Sequence, residues 1–184
     1  MELKFCPTTI FRETPKVTFF DAGIELTNGC DVVMHTGEAI SPPDEFEYEQ
    51  YYVHNHQIDH NLVITGERKF ILINPTWDEP HHMIYLKRSM GALKIPIGTY
   101  HRSISGKEGS IVLNQPIRDK FFDPKKEFAP QKLNKLSLIM ARKSPPVYWI
   151  WENDQIKRLM FNPLVKKTTT SNWYKTQTHY EWQI

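Results

Sequence analysis

Four histidines in two short stretches are the residues whose types and spacing carry chemistry in this chain. The first stretch reads His54-Asn55-His56-Gln57-Ile58-Asp59-His60 and runs on to Gly66. The second runs from Gly91 through Pro96-Ile97-Gly98-Thr99-Tyr100 to His101. On an extended strand residues i and i+2 share a face, so His54 and His56 can enter one interior together. His60 lies four residues on, past a bend, and the Pro-x-Gly turn before His101 can swing its strand back across that interior. Imidazole suits first-row transition metals, whereas calcium and magnesium prefer oxygen. His54, His56, His60 and His101 are therefore the candidate ligands of one divalent transition metal: zinc, iron, nickel or manganese. Tyr52, which shares the face of His54, Tyr100 and Arg102 are the candidate catalytic groups, as proton donors or anchors for an anion. His35, His81, His82 and His179 lack ligand spacing and read as surface or core packing.

The elements that must position these groups are short strands. Thr18–Asp21, Ile24–Leu26, Asp31–His35, Tyr51–His54, Leu62–Thr65, Lys69–Ile73, Met83–Leu86, Ala92–Ile95, His101–Ile104 and Ser110–Leu113 all read as extended. The alternation of Phe46 and Tyr48 with Glu45, Glu47 and Glu49 predicts one more, half-buried strand. Regular short strands with turn signals between them indicate an all-β sandwich or barrel. After Leu113 the chain turns polar and irregular. A short helix is expected within Gln131–Arg142, then an aromatic strand over Val147–Trp151. The reading is a barrel domain over 1–143 and an aromatic arm over 144–184 that packs on the barrel or on a partner subunit.

A chain of 184 residues with 24% charged residues and 40% hydrophobic residues is of ordinary globular composition and about one domain long. The net charge of +2 is spread along the chain, which argues against nucleic acid as the main partner. No apolar run reaches the ~20 residues a membrane span needs. Two cysteines make no disulfide framework, and no secretory leader is evident, so a cytoplasmic protein with reduced thiols is expected.

The two histidine stretches resemble the paired motifs of the cupin superfamily. His54-x-His56-x3-His60-x5-Gly66 is similar to the first motif, without its leading glycine and with histidine in place of its glutamate. Gly91-x4-Pro96-x-Gly98-x2-His101 is similar to the second, one residue short and without its final asparagine. Counted forward from His56 the third ligand is His60; counted back from Gly66 it is Asp59, and His60 is preferred. The resemblance covers about residues 45–113 and implies a cupin jelly roll, commonly a homodimer. It implies a metal-dependent enzyme on a small keto or hydroxy metabolite, by Lewis-acid isomerase, cyclase or lyase chemistry or by dioxygenation. The segments around Gly66-Glu67-Arg68 and Ile95–His101 also look similar to the deoxysugar-nucleotide 3,5-epimerase branch, which uses no metal and moves protons beside a ketone with a histidine base and a tyrosine acid. A non-catalytic, ligand-binding cupin with a structural metal is the third reading.

Overall fold

The structure is a computed structural model that describes residues 3–7, 9–14, 17–21 and 24–163. Its strands are β1 (Lys4–Cys6), β2 (Thr9–Thr14), β3 (Val17–Asp21), β4 (Asp31–His35), β5 (Ala39–Ser41), β6 (Gln50–Val53), β7 (Gln57–Gly66) and β8 (Arg68–Ile73). They continue with β9 (His81–Leu86), β10 (Ala92–Ile95), β11 (Tyr100–Ser105), β12 (Ser110–Asn114), β13 (Ile117–Arg118), β14 (Gln131–Lys132), β15 (Val147–Glu152) and β16 (Gln155–Leu159). Two α-helices, α1 (Pro124–Glu127) and α2 (Leu136–Lys143), and a 3-10 turn at Arg88–Met90 complete the set among the described residues. One sheet runs β1-β10-β7-β12-β4, with β13 beside β7; the other runs β14-β6-β11-β8-β9-β15-β16, with β5 beside β11. The expected all-β jelly roll is what forms. No helix among the described residues is long and apolar enough to cross a membrane.

The two sheets face each other across a divided interior. Val63, Phe70, Leu72, Ile84, Leu86, Leu93, Ile95 and Val112 make an apolar core. Each contributes about 1.5–3 kcal/mol on full burial. The outer face of β8 is apolar too, and Ile71 and Ile73 pack with Tyr51 against Leu138 and Ala141 of α2. That packing leaves the inner face of the sheet free to carry polar groups.

Three local expectations differ from the structure. Residues 45–49 form no strand: Glu45 and Tyr48 exchange both backbone hydrogen bonds (3.1 and 3.0 Å) around Phe46 and Glu47 at φ 48° and 66°. Two successive left-handed residues close a tight reversal, so the alternation of aromatic and acidic residues is that of an exposed hairpin tip. Ile24–Leu26 is likewise irregular and leads into a turn. The helix expected within 131–142 is confined to α2, because Gln131 and Lys132 pair with Tyr51 and Gln50 instead. From residue 147 the chain extends the larger sheet, β15 running parallel to β9 and turning back as β16. The aromatic tail beyond 163, with Trp173, Tyr174, Tyr180, Trp182 and His179, lies outside the described residues.

Gly91 fixes the junction between the two histidine stretches. It is buried at φ +77°, and a Cβ there runs into the backbone carbonyl of Cys6. Gly91→Ala is expected to lower the unfolding free energy by roughly 2–4 kcal/mol, read as a lower urea midpoint. An unchanged midpoint would show that β1 is not docked on β10 as described.

Candidate active site

Pleat and register bring the site together. Tyr52 and His54 point inward from β6 and its end, Asp59 and Asn61 from β7, His101 and Ser103 from β11, and Asn114 from β12. All but His54 line one cavity, which Phe128 also borders. Pairing of β6 with β11 sets His101 opposite Tyr52. The loop between β10 and β11 is tied down by Gly98, whose N–H donates to the His54 carbonyl at 2.7 Å. The Pro-x-Gly turn thus delivers the second stretch onto the first.

The centre is a carboxylate between two imidazoles. Asp59 Oδ2 lies 3.5 Å from His54 Nε2 and 3.6 Å from His101 Nε2, with all three residues buried. These separations are in ion-pair range but beyond hydrogen-bond length. The other oxygen, Asp59 Oδ1, accepts from Gln57 Nε2 (2.6 Å) and Asn114 Nδ2 (2.8 Å). Gln57 is held in turn by Arg118 Nε, which donates to its Oε1 at 2.7 Å. The carboxylate is thus clamped on one side and turned towards the imidazoles on the other.

The far side of each ring has its own partner. His101 Nδ1 donates to the Thr99 carbonyl at 3.1 Å, which leaves Nε2 with its lone pair in the neutral ring. His54 Nδ1 faces Glu127 Oε2 at 3.5 Å. Glu127 is a buried carboxylate at the end of α1, fixed by the backbone N–H of Asn55 at 2.8 Å. Asp123 caps that helix by accepting from Lys125 N, with Pro124 in its first turn. The two imidazoles are 4.9 Å apart between centroids, and the Tyr52 ring lies 6.5 Å from His54 and 6.2 Å from His101. Burial, then the neighbouring His54, lowers the His101 pKa to about 4, so this ring is neutral at pH 7.

Of the seven residues singled out from the sequence, three meet here: Tyr52, His54 and His101. His56 is part-exposed, with Nδ1 2.9 Å from Asp119 on the surface. His60 is one position from Asp59 on the same strand and so turns to the opposite face, where its Nδ1 bonds the Gln115 carbonyl at 3.2 Å. The four-histidine cluster expected from forward spacing is therefore not assembled, because β7 already begins at Gln57 and no bend separates His60 from Asp59. Tyr100 and Arg102 also leave the site, since the residues on either side of the inward-facing His101 on β11 turn outward. Tyr100 packs with the α2 cluster, and Arg102 pairs with Asp44 at 2.6 Å and Glu49 at 3.7 Å. The sequence reading passed over Asn61, Arg68 and Asn114, whose inward phase on their strands was the available signal. It also passed over Glu127, which no local pattern marks, because its role depends on where a four-residue helix docks.

The cavity is open to solvent and measures about 480 Å³ with its mouth. It reaches past Phe70 and Ser103 to Arg68, which is 1% exposed. Beside Arg68, burial and the guanidinium charge lower the His35 pKa to about 4, so this ring too is neutral at pH 7.

No family model matches the sequence, and no curated protein matches it. Solved structures do match. The dTDP-4-dehydrorhamnose 3,5-epimerase from Elizabethkingia anophelis is 10% identical with a TM-score of 0.50, over 72% of this chain and 76% of that one. The 3'-monoepimerase ChmJ from Streptomyces bikiniensis, in complex with dTDP-quinovose, is 8% identical with a TM-score of 0.51, over 70% and 68%. A mutant of the 3,4-ketoisomerase QdtA from Thermoanaerobacterium thermosaccharolyticum, in complex with TDP-4-keto-6-deoxyglucose, is 13% identical with a TM-score of 0.51, over 77% and 95%. The fold is that of the RmlC-like cupins. At these identities the likeness concerns the jelly roll, and the chemistry of this chain rests on its own site.

Buried neutral imidazoles make the stability of this protein pH-dependent. His35, His81 and His101 have folded pKa values of about 4, against 6.5 for an unperturbed ring. The unfolded chain therefore binds more protons between these values. Their contribution is full above pH 6.5 and is lost as pH falls towards 4. The urea midpoint is expected to be lower at pH 5 than at pH 7; equal midpoints would contradict the burial of these rings as neutral species.

Proposed function

We propose that this cupin is a metal-independent isomerase that moves a proton beside the ketone of a nucleotide-linked deoxysugar. The carrying observation is the buried His54–Asp59–His101 group with Tyr52 beside it at an open cavity. The reactions named for the similar folds, 3,5-epimerisation and 3,4-ketoisomerisation, supply the substrate class. His101, which lines the cavity, is a neutral base whose Nε2 lies 3.6 Å from Asp59 Oδ2. On taking a proton from the carbon next to the ketone it becomes an imidazolium, which Asp59 stabilises from 3.6 Å. His54, backed by Glu127, is the second proton carrier. Tyr52 is the group suited to protonate the enolate on the opposite face or to hold its oxygen.

His101→Ala and His54→Ala are each expected to lower kcat on a TDP-4-keto-6-deoxysugar by about 10²–10⁴-fold. Tyr52→Phe is expected to lower kcat with little change in KM, as for a group that acts only in the proton transfer. Chromatography of the sugar nucleotide after incubation measures all three. Unimpaired turnover in both histidine variants would refute the assignment.

One observation favours a second reading, that of a divalent metal enzyme. The candidate ligand atoms of His54, Asp59 and His101 all lie within 4.8 Å of one another. Thr99 and Glu127 stand behind the rings as orienting partners of metal-ligating histidines do. The donor set fits zinc, iron, nickel or manganese, and such an ion would polarise a carbonyl oxygen. Elemental analysis of protein purified without an affinity tag decides between the readings. The metal-independent reading expects far less than one equivalent and activity that survives a chelator. One equivalent lost in His101→Ala, with chelator-sensitive activity, would establish the metal.

A further inference from the structure

The loop between β8 and β9 runs Asn74-Pro75-Thr76-Trp77-Asp78-Glu79-Pro80 and does not line the cavity. Asn74, buried at its start, holds it closed. The Asn74 N–H donates to the Pro80 carbonyl at 2.9 Å, and the Asn74 carbonyl accepts from Trp77 N at 3.2 Å. The side-chain Oδ1 accepts from Thr76 N (3.0 Å) and from Thr76 Oγ1 (2.7 Å). A backbone N–H can only donate, so the amide oxygen must face Thr76 and the amide nitrogen must face the other way. There Nδ2 donates to Thr99 Oγ1 at 3.1 Å. Trp77 braces the same loop. Its ring and that of His82 meet edge to face at 5.4 Å, and His82 Nδ1 accepts from Trp149 Nε1 of β15 at 3.1 Å.

Thr99 is where this bracket meets the chemistry. It lies between the Ile97–Gly98 turn and β11, ahead of the first strand pair at Tyr100, so sheet register does not fix its carbonyl. That carbonyl accepts from His101 Nδ1 at 3.1 Å. On the other side of the ring, Asp59 Oδ2 lies 3.6 Å from Nε2. The one proton of the neutral imidazole therefore has two acceptors, one at each nitrogen. A carboxylate is the stronger acceptor, and on charge alone the proton belongs on Nε2. Distance reverses the order, because the contact to Thr99 has hydrogen-bond length and the contact to Asp59 does not. The tautomer with Nε2 bare thus depends on where Thr99 holds its carbonyl. Two bonds hold that place. One runs from Gly98 N to the His54 carbonyl at 2.7 Å, the other from Asn74 to the Thr99 hydroxyl.

We propose that Asn74 and Thr99 are positioning residues that hold the His101 proton on Nδ1 and so keep Nε2 free to act as the base. The inference rests on His101 being the base of the proposed isomerase, and it deepens that reading. Neither residue lines the cavity; Asn74 acts through Thr99, and Thr99 acts through the ring. Without the amide-to-hydroxyl bond the Thr99 carbonyl loses one of its two holds. The ring then gives up the proton on Nδ1 and carries one on Nε2, which bonds Asp59 and can accept no other.

The test is nitrogen NMR of the full chain carrying isotope-labelled histidine, at pH 7 with a chelator. The His101 signals are those lost in His101→Gln. The native protein is expected to show Nδ1 protonated and Nε2 bare. Thr99→Val matches the shape of threonine, keeps the carbonyl and loses the hydroxyl. In it, and in Asn74→Ala, the proton is expected to shift to Nε2. In both, kcat on the TDP-4-keto-6-deoxysugar is expected to fall by about 10–100-fold with KM within about two-fold. Thr99→Ser keeps the hydroxyl and is expected to restore the native spectrum and most of kcat. Loss of stability alone would not move the proton from one nitrogen to the other. If Asn74→Ala does not fold, Thr99→Val decides the matter. A native ring protonated on Nε2 overturns the proposal. Turnover lost in Thr99→Val with the proton still on Nδ1 overturns the positioning role and leaves the isomerase standing. A proton that moves to Nε2 with turnover unchanged leaves the positioning of the ring standing and removes His101 as the base.

Discussion

A carboxylate held between two imidazoles inside a β-sandwich is the arrangement on which the rest of this molecule depends. Asp59 keeps its place because Gln57 and Asn114 occupy one of its oxygens and leave the other for His54 and His101. Both clamping residues come from strands that pair directly, Gln57 from β7 itself and Asn114 from β12, where it lies opposite Asn61. The chain therefore positions a charge with neutral donors set by sheet register. That leaves the carboxylate able to stabilise a proton arriving on either ring, whereas a tight salt bridge would already have committed it.

The division of the interior follows from the same constraint. Buried polar groups require partners, and here those of the cavity wall run along the inner faces of β7, β11 and β12, beside the apolar cluster that fills the rest of the interior. Helix α2 covers the back of the site strands, so Tyr100 and Arg102 become parts of an outer packing and ionic layer with Tyr51, Glu49 and Arg142. Burial pushes the Glu49 pKa up, but hydrogen bonding and charge from Arg142, with a hydrogen bond from Tyr51, outweigh it and lower the pKa to about 2, so this carboxylate stays ionised throughout the neutral range. The outer layer lends rigidity to strands whose inner faces carry the chemistry.

The sequence disclosed the strands well because each is short, strongly patterned and bounded by turn residues. The positions of β4, β10, β11, β12 and β15 follow from that pattern, and the structure sets His54 and His101, one from each histidine stretch, 4.9 Å apart between ring centroids. Of the four histidines read as ligands, His54 and His101 stand beside Asp59, whereas His56 and His60 stand apart. His60 has the richer chemistry, but Asp59 has the inward phase, and on a strand phase decides which side chain enters the core. Glu127 was invisible for the opposite reason: its place depends on a one-turn helix in a polar stretch, and only the fold brings it behind His54. The hairpin tip at Phe46 and Glu47 imitated a strand because two left-handed residues also alternate aromatic with acidic side chains.

The most direct measurement compares Asp59→Asn with His60→Asn by following wash-in of solvent deuterium into a TDP-4-keto-6-deoxysugar in heavy water containing a chelator. The account predicts that the native protein and His60→Asn exchange the hydrogen next to the ketone at similar rates, while Asp59→Asn loses exchange by about 10²-fold or more. Exchange abolished by His60→Asn and retained in Asp59→Asn would contradict the account, and it would place the working face of β7 on the other side of the strand.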